Sequence, residues 1–186
     1  MNNFFNCRPM KIAILGGGHG AYAAAADLSE AGHEARLWRR DATALKPVLQ
    51  AGSITLKDAD GARDVRLALA TADIADALRD AELIVIPSPA IAQEDIARLM
   101  APHLVDGQVV FLPPGTFGSY LMARRVAEAG NRANVAWAET GTLPYLARKH
   151  GEREVNITIR AIRLPTGVYP ARKERETIKV IRKVYP

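Results

Sequence analysis

The chain is short of several things, and each shortage narrows what it can be. It has one cysteine in 186 residues, Cys7, so no disulfide can close within it, and a reducing, cytoplasmic compartment is expected. No apolar run approaches the roughly 20 residues of a membrane-spanning helix. The polar leader from Met1 to Pro9 lacks the apolar core of a signal peptide; residues 1–10 are expected to form a flexible leader, with Met10 as an alternative start. There is no CxxC pair and no clustered histidine spacing, so no metal site is expected. G-x-S-x-G and Gly-Lys-Ser/Thr are both absent, which excludes a nucleophile elbow and a P-loop. No internal repeat or low-complexity segment occurs.

The net charge of +5 is unevenly placed. Residues 1–147 carry 14 Lys/Arg against 16 Asp/Glu, and residues 148–186 carry 11 against 4, so the basic balance belongs to the last fifth of the chain. Aromatic residues make up only 6 % and do not alternate with these charges, so the basic end reads as a solvated face or a surface for another domain, with no nucleic-acid or membrane partner.

What is present centres on Lys11 to Tyr22. Ile12, Ala13, Ile14 and Leu15 form the short apolar run of a strand buried on both faces. Gly16, Gly18 and Ala21 then fit G-x-G-x-x-G/A, the pattern that seats a dinucleotide pyrophosphate. Gly16 permits the turn off the strand, Gly18 lets the backbone approach the phosphates, and Ala21 lets the helix pack close. His19 and Gly20 lie in the same loop, where the free N–H groups of a helix N-terminus favour an anion. The alanine-rich stretch Ala21 to Leu28 is a good helix former. Gly32 suits the end of that helix, and Ala35 to Trp38 is the next strand, which completes a βαβ unit.

The cofactor choice falls at Arg39, Arg40 and Asp41. Two guanidiniums after the second strand favour the 2′-phosphate of NADP, whereas Asp41 could instead accept the ribose of NAD. Trp38 or Arg39 is also placed to stack on the adenine. Downstream, residues 41–51 read as a helix. Residues 53–57 and 65–69 read as a hairpin, or as two strands returning to the sheet. Residues 83–86 and 108–112 are buried strands that break at Pro87-Ser88-Pro89 and Pro113-Pro114-Gly115, forming one wall of a cleft at the strands' carboxyl edge. Ser88 either touches the cofactor or caps the helix that follows. A strand over 134–138 places Glu139 at the same edge. Residues 154–163 alternate as a half-exposed strand, and Ile178, Ile181, Val184 and Tyr185 make one stripe of a helix over 171–184. The expected fold is α/β, a doubly wound and mostly parallel Rossmann-type sheet. Residues 11–170 would form the NAD(P)-binding domain, and 171–186 a terminal helix leading toward a second domain. Of the four histidines, His19, His33, His103 and His150, none is expected to act as a general base.

From Lys11 onward the chain resembles the N-terminal NAD(P)-binding domain of the octopine/nopaline (opine) dehydrogenases. The resemblance rests on Ile14 to Gly20, on Val85 to Ala90, on Pro114-Gly115-Thr116-Phe117-Gly118, and on Ala138-Glu139-Thr140 with Leu143-Pro144-Tyr145. It departs at Pro113, where family members often carry a polar residue. The resemblance implies hydride transfer from NAD(P)H to an imine formed from a 2-oxo acid and an amino acid. It also implies that a second, helical domain supplies the catalytic histidine, so this stretch alone is not expected to catalyse. Glu139 matches the acid of the family's E-T motif, near the amino-acid substrate. Pro87, Ser88 and Gly115 would flank the nicotinamide, with Gly16, Gly18, His19, Gly20 and Ala21 on the pyrophosphate and Arg39 and Arg40 on the adenosine phosphate. The resemblance leaves open which amino acid and oxo acid react, and whether the protein is a homodimer. Rival readings are a ketopantoate-reductase-like or glycerol-3-phosphate-dehydrogenase-like enzyme, against which the E-T-x-x-L-P-Y segment argues, and a non-catalytic NAD(P)-binding module.

Overall fold

A computed structural model describes residues 8–185, so Cys7 lies outside the described residues. The chain runs β1 (Lys11–Leu15), α1 (His19–Glu30), β2 (Glu34–Trp38), α2 (Ala42–Ala51), β3 (Ser53–Asp58), β4 (Gly61–Arg66), β5 (Leu69–Thr71), α3 (Ile74–Leu78) and β6 (Leu83–Val85). It continues through α4 (Ala90–Met100), β7 (Val109–Leu112), α5 (Gly118–Glu128), β8 (Ala136–Thr140), β9 (Tyr145–His150), β10 (Glu154–Arg160), β11 (Thr166–Tyr169) and α6 (Glu174–Ile181). The main sheet has the order β11-β8-β7-β6-β1-β2-β5, parallel throughout except for β11 against β8. Reading from β5, this is the doubly wound order, with the chain reversing direction across the sheet between β1 and β6.

Period-two alternation explains how these strands serve two cores. Ile12, Ile14, Leu83, Val85, Val109 and Phe111 point to one face, and Ala13, Leu15, Ile84, Ile86, Val110 and Leu112 to the other, all buried. The second face is covered by α3, α4 and α5 through Ala77, Leu78, Ile96, Met100, Met122 and Val126.

The first face is covered differently from what the sequence implied. Of the two alternatives for 53–57 and 65–69, the hairpin holds for β3 with β4, while Leu69–Thr71 leaves it to join the main sheet beside β2; the half-exposed strand over 154–163 is β10. The hairpin and β10 belong to a second, four-stranded sheet, β4-β3-β10-β9, and α1 lies between the two sheets. An ordinary surface helix buries one stripe, but here Gly20 through Ala26 and Leu28 are all buried. That requirement accounts for the run Ala23-Ala24-Ala25-Ala26: small side chains allow sheets to approach a helix from both sides. β9 and the short strand β5 are elements the sequence did not reveal. The E-T-G-T-L-P-Y segment is the crossover from β8 to β9. Thr140 bonds to the Thr142 carbonyl at 2.6 Å, Ala161 N–H donates to the Pro144 carbonyl, and Tyr145 drops into the core, its hydroxyl donating to Asp27 at 2.9 Å.

Two expectations at the ends need correcting. Met10, assigned to the loose leader, is 2 % exposed, and its N–H meets His33 Nδ1 at 3.3 Å. An apolar side chain one residue ahead of a central strand is drawn under the sheet with it. At the other end α6 begins at Glu174 after a 3-10 turn and buries Thr177 and Ile181 while Ile178 is only half-buried; Val184, in the turn beyond it, is buried as well. Tyr185 packs on Phe111 and Tyr145, with ring centroids 5.6 and 6.1 Å apart, so this terminal segment docks on the first core. No helix among the described residues is long and apolar enough to cross a membrane.

Ion pairs tie the second sheet to α1. Arg160 on β10 reaches both Asp27 of α1 at 2.7 Å and Asp58 of β3 at 2.8 Å, and Arg63 on β4 pairs with Asp58 and Glu30. The Asp58 side chain is 2 % exposed. The Arg63 guanidinium, ahead of Arg160, holds its carboxyl well below the usual carboxylate range. A carboxyl lowered on folding contributes stability above its unfolded value, near 3.9, and loses it as pH falls. Urea midpoints should therefore hold from pH 6 to about 5 and fall as the pH is taken on toward 2, and Asp58→Asn should flatten that fall; an unchanged slope would mean the network carries no linkage. Separately, Ala25→Leu should destabilise the fold by roughly 1–3 kcal/mol at unchanged denaturant slope, because neither sheet has room to retreat.

Candidate dinucleotide-binding site

β1 ends at Leu15, and Gly16 turns the chain with φ +151°, its N–H donating to the Trp38 carbonyl at 2.9 Å. A Cβ on Gly16 would sit 3.3 Å from that of Ala21, so the two small residues do bring strand and helix together. α1 starts after Gly18, which supplies no side-chain cap, so the first-turn amides keep their donors for another acceptor. A Cβ on Gly18 would meet nothing within 4 Å, which leaves open space in front of those amides. Gly20 packs on Pro87 and Leu143, so its glycine requirement is one of packing. A glycine turn that runs into uncapped helix amides is the kind of place that suits an anion, here with Arg39 lying across Gly17.

The predicted residues divide around it. Ser88 is buried, and its hydroxyl donates to the Leu15 carbonyl at 3.1 Å, bridging β6 to β1 where the sheet reverses. It does not cap α4, whose N-cap is Pro89 without a side-chain bond. Pro87 flanks Gly20. Asp41 caps α2, accepting from Ala44 N–H at 3.0 Å. Trp38 is 4 % exposed and donates to the Ala72 carbonyl, so its ring belongs to the core.

Arg39 and Arg40, paired in the sequence, point apart. Arg39 lies across Gly17, whose Cβ would fall 2.7 Å from its Nε. Arg40 turns to the opposite side and meets Asp95 of α4 at 3.4 Å, both half-exposed, beside an open groove of about 640 Å³ that Ile74 and Leu99 also line. Successive residues of an extended chain point to opposite sides, which the dipeptide alone conceals.

The second proline-rich loop is held from below. Both oxygens of Glu139 accept backbone N–H groups, from Phe117 at 3.0 Å and Ser119 at 2.9 Å, so this carboxylate sits on the N-terminus of α5. Gly115 lies so close that a Cβ would overlap Glu139, and Gly118 lies equally close to Gln93. Buried Gln93 donates to the Gly115 carbonyl at 3.1 Å. Thr116 and Phe117 both adopt positive φ, 55° and 63°. Gln93 was not singled out in the sequence; a glutamine on a helix carries no signal until the loop it supports is in place. The histidines stand apart. His19 Nδ1 accepts from Lys149 N–H at 2.9 Å, His33 is partly buried with its imidazole pKa pushed down by burial, and His103 and His150 are exposed.

The family model described as "NAD-dependent glycerol-3-phosphate dehydrogenase N-terminus" matches residues 11–112, more than half of the chain. The chain belongs to this family. Within it, the sequence is similar to an opine dehydrogenase of Arthrobacter sp. (strain 1C), 31 % identical over 176 residues, covering 94 % of this chain and 48 % of that protein. It is also similar to a glycerol-3-phosphate dehydrogenase [NAD(P)+] of Moorella thermoacetica, 30 % identical over 177 residues, with 94 % and 48 % covered. The chain thus spans about half the length of the curated relatives it matches. An octopine dehydrogenase solved with NADH and agmatine shares the fold, with TM-score 0.74 at 24 % identity over 86 % of this chain and 42 % of that one. The likeness to the N-terminal NAD(P)-binding domain of opine dehydrogenases, first drawn from four short motifs, therefore holds along nearly the whole chain, and the Rossmann-type sheet with it.

Gly115→Ala tests how tightly the loop is built. It should lower stability by roughly 1–3 kcal/mol, because its new methyl meets Glu139 backbone-side atoms that cannot swing away; a thermal midpoint equal to the parent's would show that the loop yields freely.

Proposed function

We propose that this chain is the cofactor-binding half of an opine-type dehydrogenase. It would hold NADP(H), with NAD(H) as the alternative, at the carboxyl edge of its main sheet. The observation that carries this is the open first turn of α1, where uncapped amides face free space beyond Gly18. Gly16, Gly18, His19, Gly20 and Ala21 form the pyrophosphate cradle, and Arg39 lies alongside it for the adenosine phosphate. Pro87, Ser88 and Gly115 line the nicotinamide side. Ser88 does so through the Leu15 carbonyl it holds, and Gly115 by belonging to the loop that Glu139 and Gln93 fix. Glu139 stands at the substrate side, where its hold on α5 keeps the 113–118 loop in shape. When bound, the nicotinamide supplies the hydride; the chain's part is to bind, orient and shield.

A second domain or chain would complete the substrate pocket, since the curated relatives are twice as long. Large apolar side chains are bare at or near this rim, among them Ile91 at 91 % and Phe117 at 79 % exposed. The same faces would serve a homodimer. The near absence of cysteine supports a cytoplasmic setting. A second reading, reduction of a ketone such as that of a glycerol-3-phosphate dehydrogenase, is favoured by the family model and by the Moorella thermoacetica relative. NADPH oxidation by the two-domain protein with pyruvate plus an amino acid, and not with dihydroxyacetone phosphate or ketopantoate, separates the two.

Gly18→Val is the direct test on this chain. Its φ of −88° suits valine and its Cβ has no neighbour, so unfolding should move by no more than about 0.5 kcal/mol. Calorimetric affinity for both dinucleotides should nevertheless fall at least about tenfold, because the isopropyl group occupies the phosphates' place. Unchanged affinity would remove the cradle from the reading.

A further inference from the structure

Beside the glycine turn, Arg39 is joined by two polar groups from other elements, Lys149 and Tyr22, to which the sequence assigned no role. Lys149, near the end of β9, donates its backbone N–H to His19 Nδ1 at 2.9 Å, which pins the second sheet to the first residue of α1. Its ammonium lies 4.2 Å from the centroid of the Tyr22 ring. Arg39 arrives from the end of β2 across Gly17, one guanidinium nitrogen donating to the Ala44 carbonyl. The Tyr22 hydroxyl, on a side chain with no exposed surface, has no hydrogen-bond partner among the described residues. Arg39 is the charged group that acts on that hydroxyl. Burial first, and the Arg39 charge second, draw the Lys149 ammonium below its ordinary range. Glu152 also faces Lys149, but among the described residues it forms no ion pair with it, and Arg39 meets no carboxylate there.

Two like charges beside an orphaned buried hydroxyl are unfavourable in isolation, and an anion between them turns repulsion into attraction. A phosphate monoester suits this set: a planar guanidinium, a point-charge ammonium and a phenol donor. The pyrophosphate has its own place at the amides of α1, whereas Arg39 leaves the end of β2, the point where this fold reads the adenosine ribose. We propose that Arg39, Lys149 and Tyr22 form the seat of the cofactor's 2′-phosphate, and that Lys149, from the second sheet, is the second specificity-determining cation in place of Arg40. Arg40 is excluded by its position, since it pairs with Asp95 on the far side of the strand end. The second sheet thereby acquires a role in cofactor choice besides covering α1. The proposal rests on the dinucleotide reading above.

The experiment is calorimetric titration of the 186-residue chain and its variants with NADPH, NADH and 2′,5′-ADP. Lys149→Met keeps the apolar stem over Tyr22 and should weaken NADPH and 2′,5′-ADP about tenfold or more while leaving NADH within about twofold. Lys149→Arg should retain most of the preference, and Tyr22→Phe should lower NADPH affinity a few-fold without touching NADH. Arg40→Ala should shift both dinucleotides equally. Equal loss of NADPH and NADH in Lys149→Met would overturn the assignment in favour of a pyrophosphate contact or a purely structural role. A parent chain that binds NADH as tightly as NADPH would also overturn it while leaving the dinucleotide reading intact. A parent that binds neither would take both down.

Discussion

α1 is held between two sheets, and most of the molecule follows from that confinement. A helix with sheets on both sides has room mainly for small side chains, and in the buried run Gly20 through Ala26 every residue but Tyr22 is glycine or alanine. The main sheet sets the helix's distance through the Gly16–Ala21 contact, and the second sheet sets its rotation through Tyr145 on Asp27 and Lys149 on His19. With both fixed, the uncapped first turn is aimed at one region of space, outside the carboxyl ends of β1 and β6. Preorganisation of this kind lets a backbone cradle bind without first being ordered.

The rest of the carboxyl edge is supported from behind in the same manner. Ser88 ties the loop after β6 to β1, Gln93 ties α4 to the loop after β7, and Glu139 ties β8 to the start of α5. Each side chain spans two elements that diverge from the sheet, and each is close-packed to a glycine that leaves room for it. Residues that look like ligand contacts by position are here committed to holding the loops a ligand would touch. The loop after β7 also carries two non-glycine residues at positive φ, a conformation that persists only where its surroundings impose it, and Glu139 with Gln93 imposes it.

Much of this was legible beforehand, for identifiable reasons. The parallel strands announced themselves as apolar runs because both faces are buried, and the glycine turn because its spacing answers a steric demand local to a dozen residues. The motif Glu139 to Tyr145 was legible as a family trait but not as a crossover between sheets. β9 was not legible: its outward residues Arg148 and His150 read as a basic loop, and its pairing partner β10 lies beyond a turn without a strong signal. The hairpin of β3 and β4 was visible, but nothing in its alternation said which sheet it would join.

The sequence by itself determined most of the order of elements, the glycine turn between β1 and α1 and the likeness to the N-terminal domain of opine dehydrogenases, because those depend on periodicity and on steric needs confined to neighbouring residues. Only the tertiary structure decided that Arg39 and Arg40 part company, that Glu139 serves α5, and that Lys149 stands beside Arg39 some 110 residues away. Those outcomes come from the second sheet closing over α1, a packing event between segments far apart in the chain, and no local pattern encodes which distant side chains it will bring face to face.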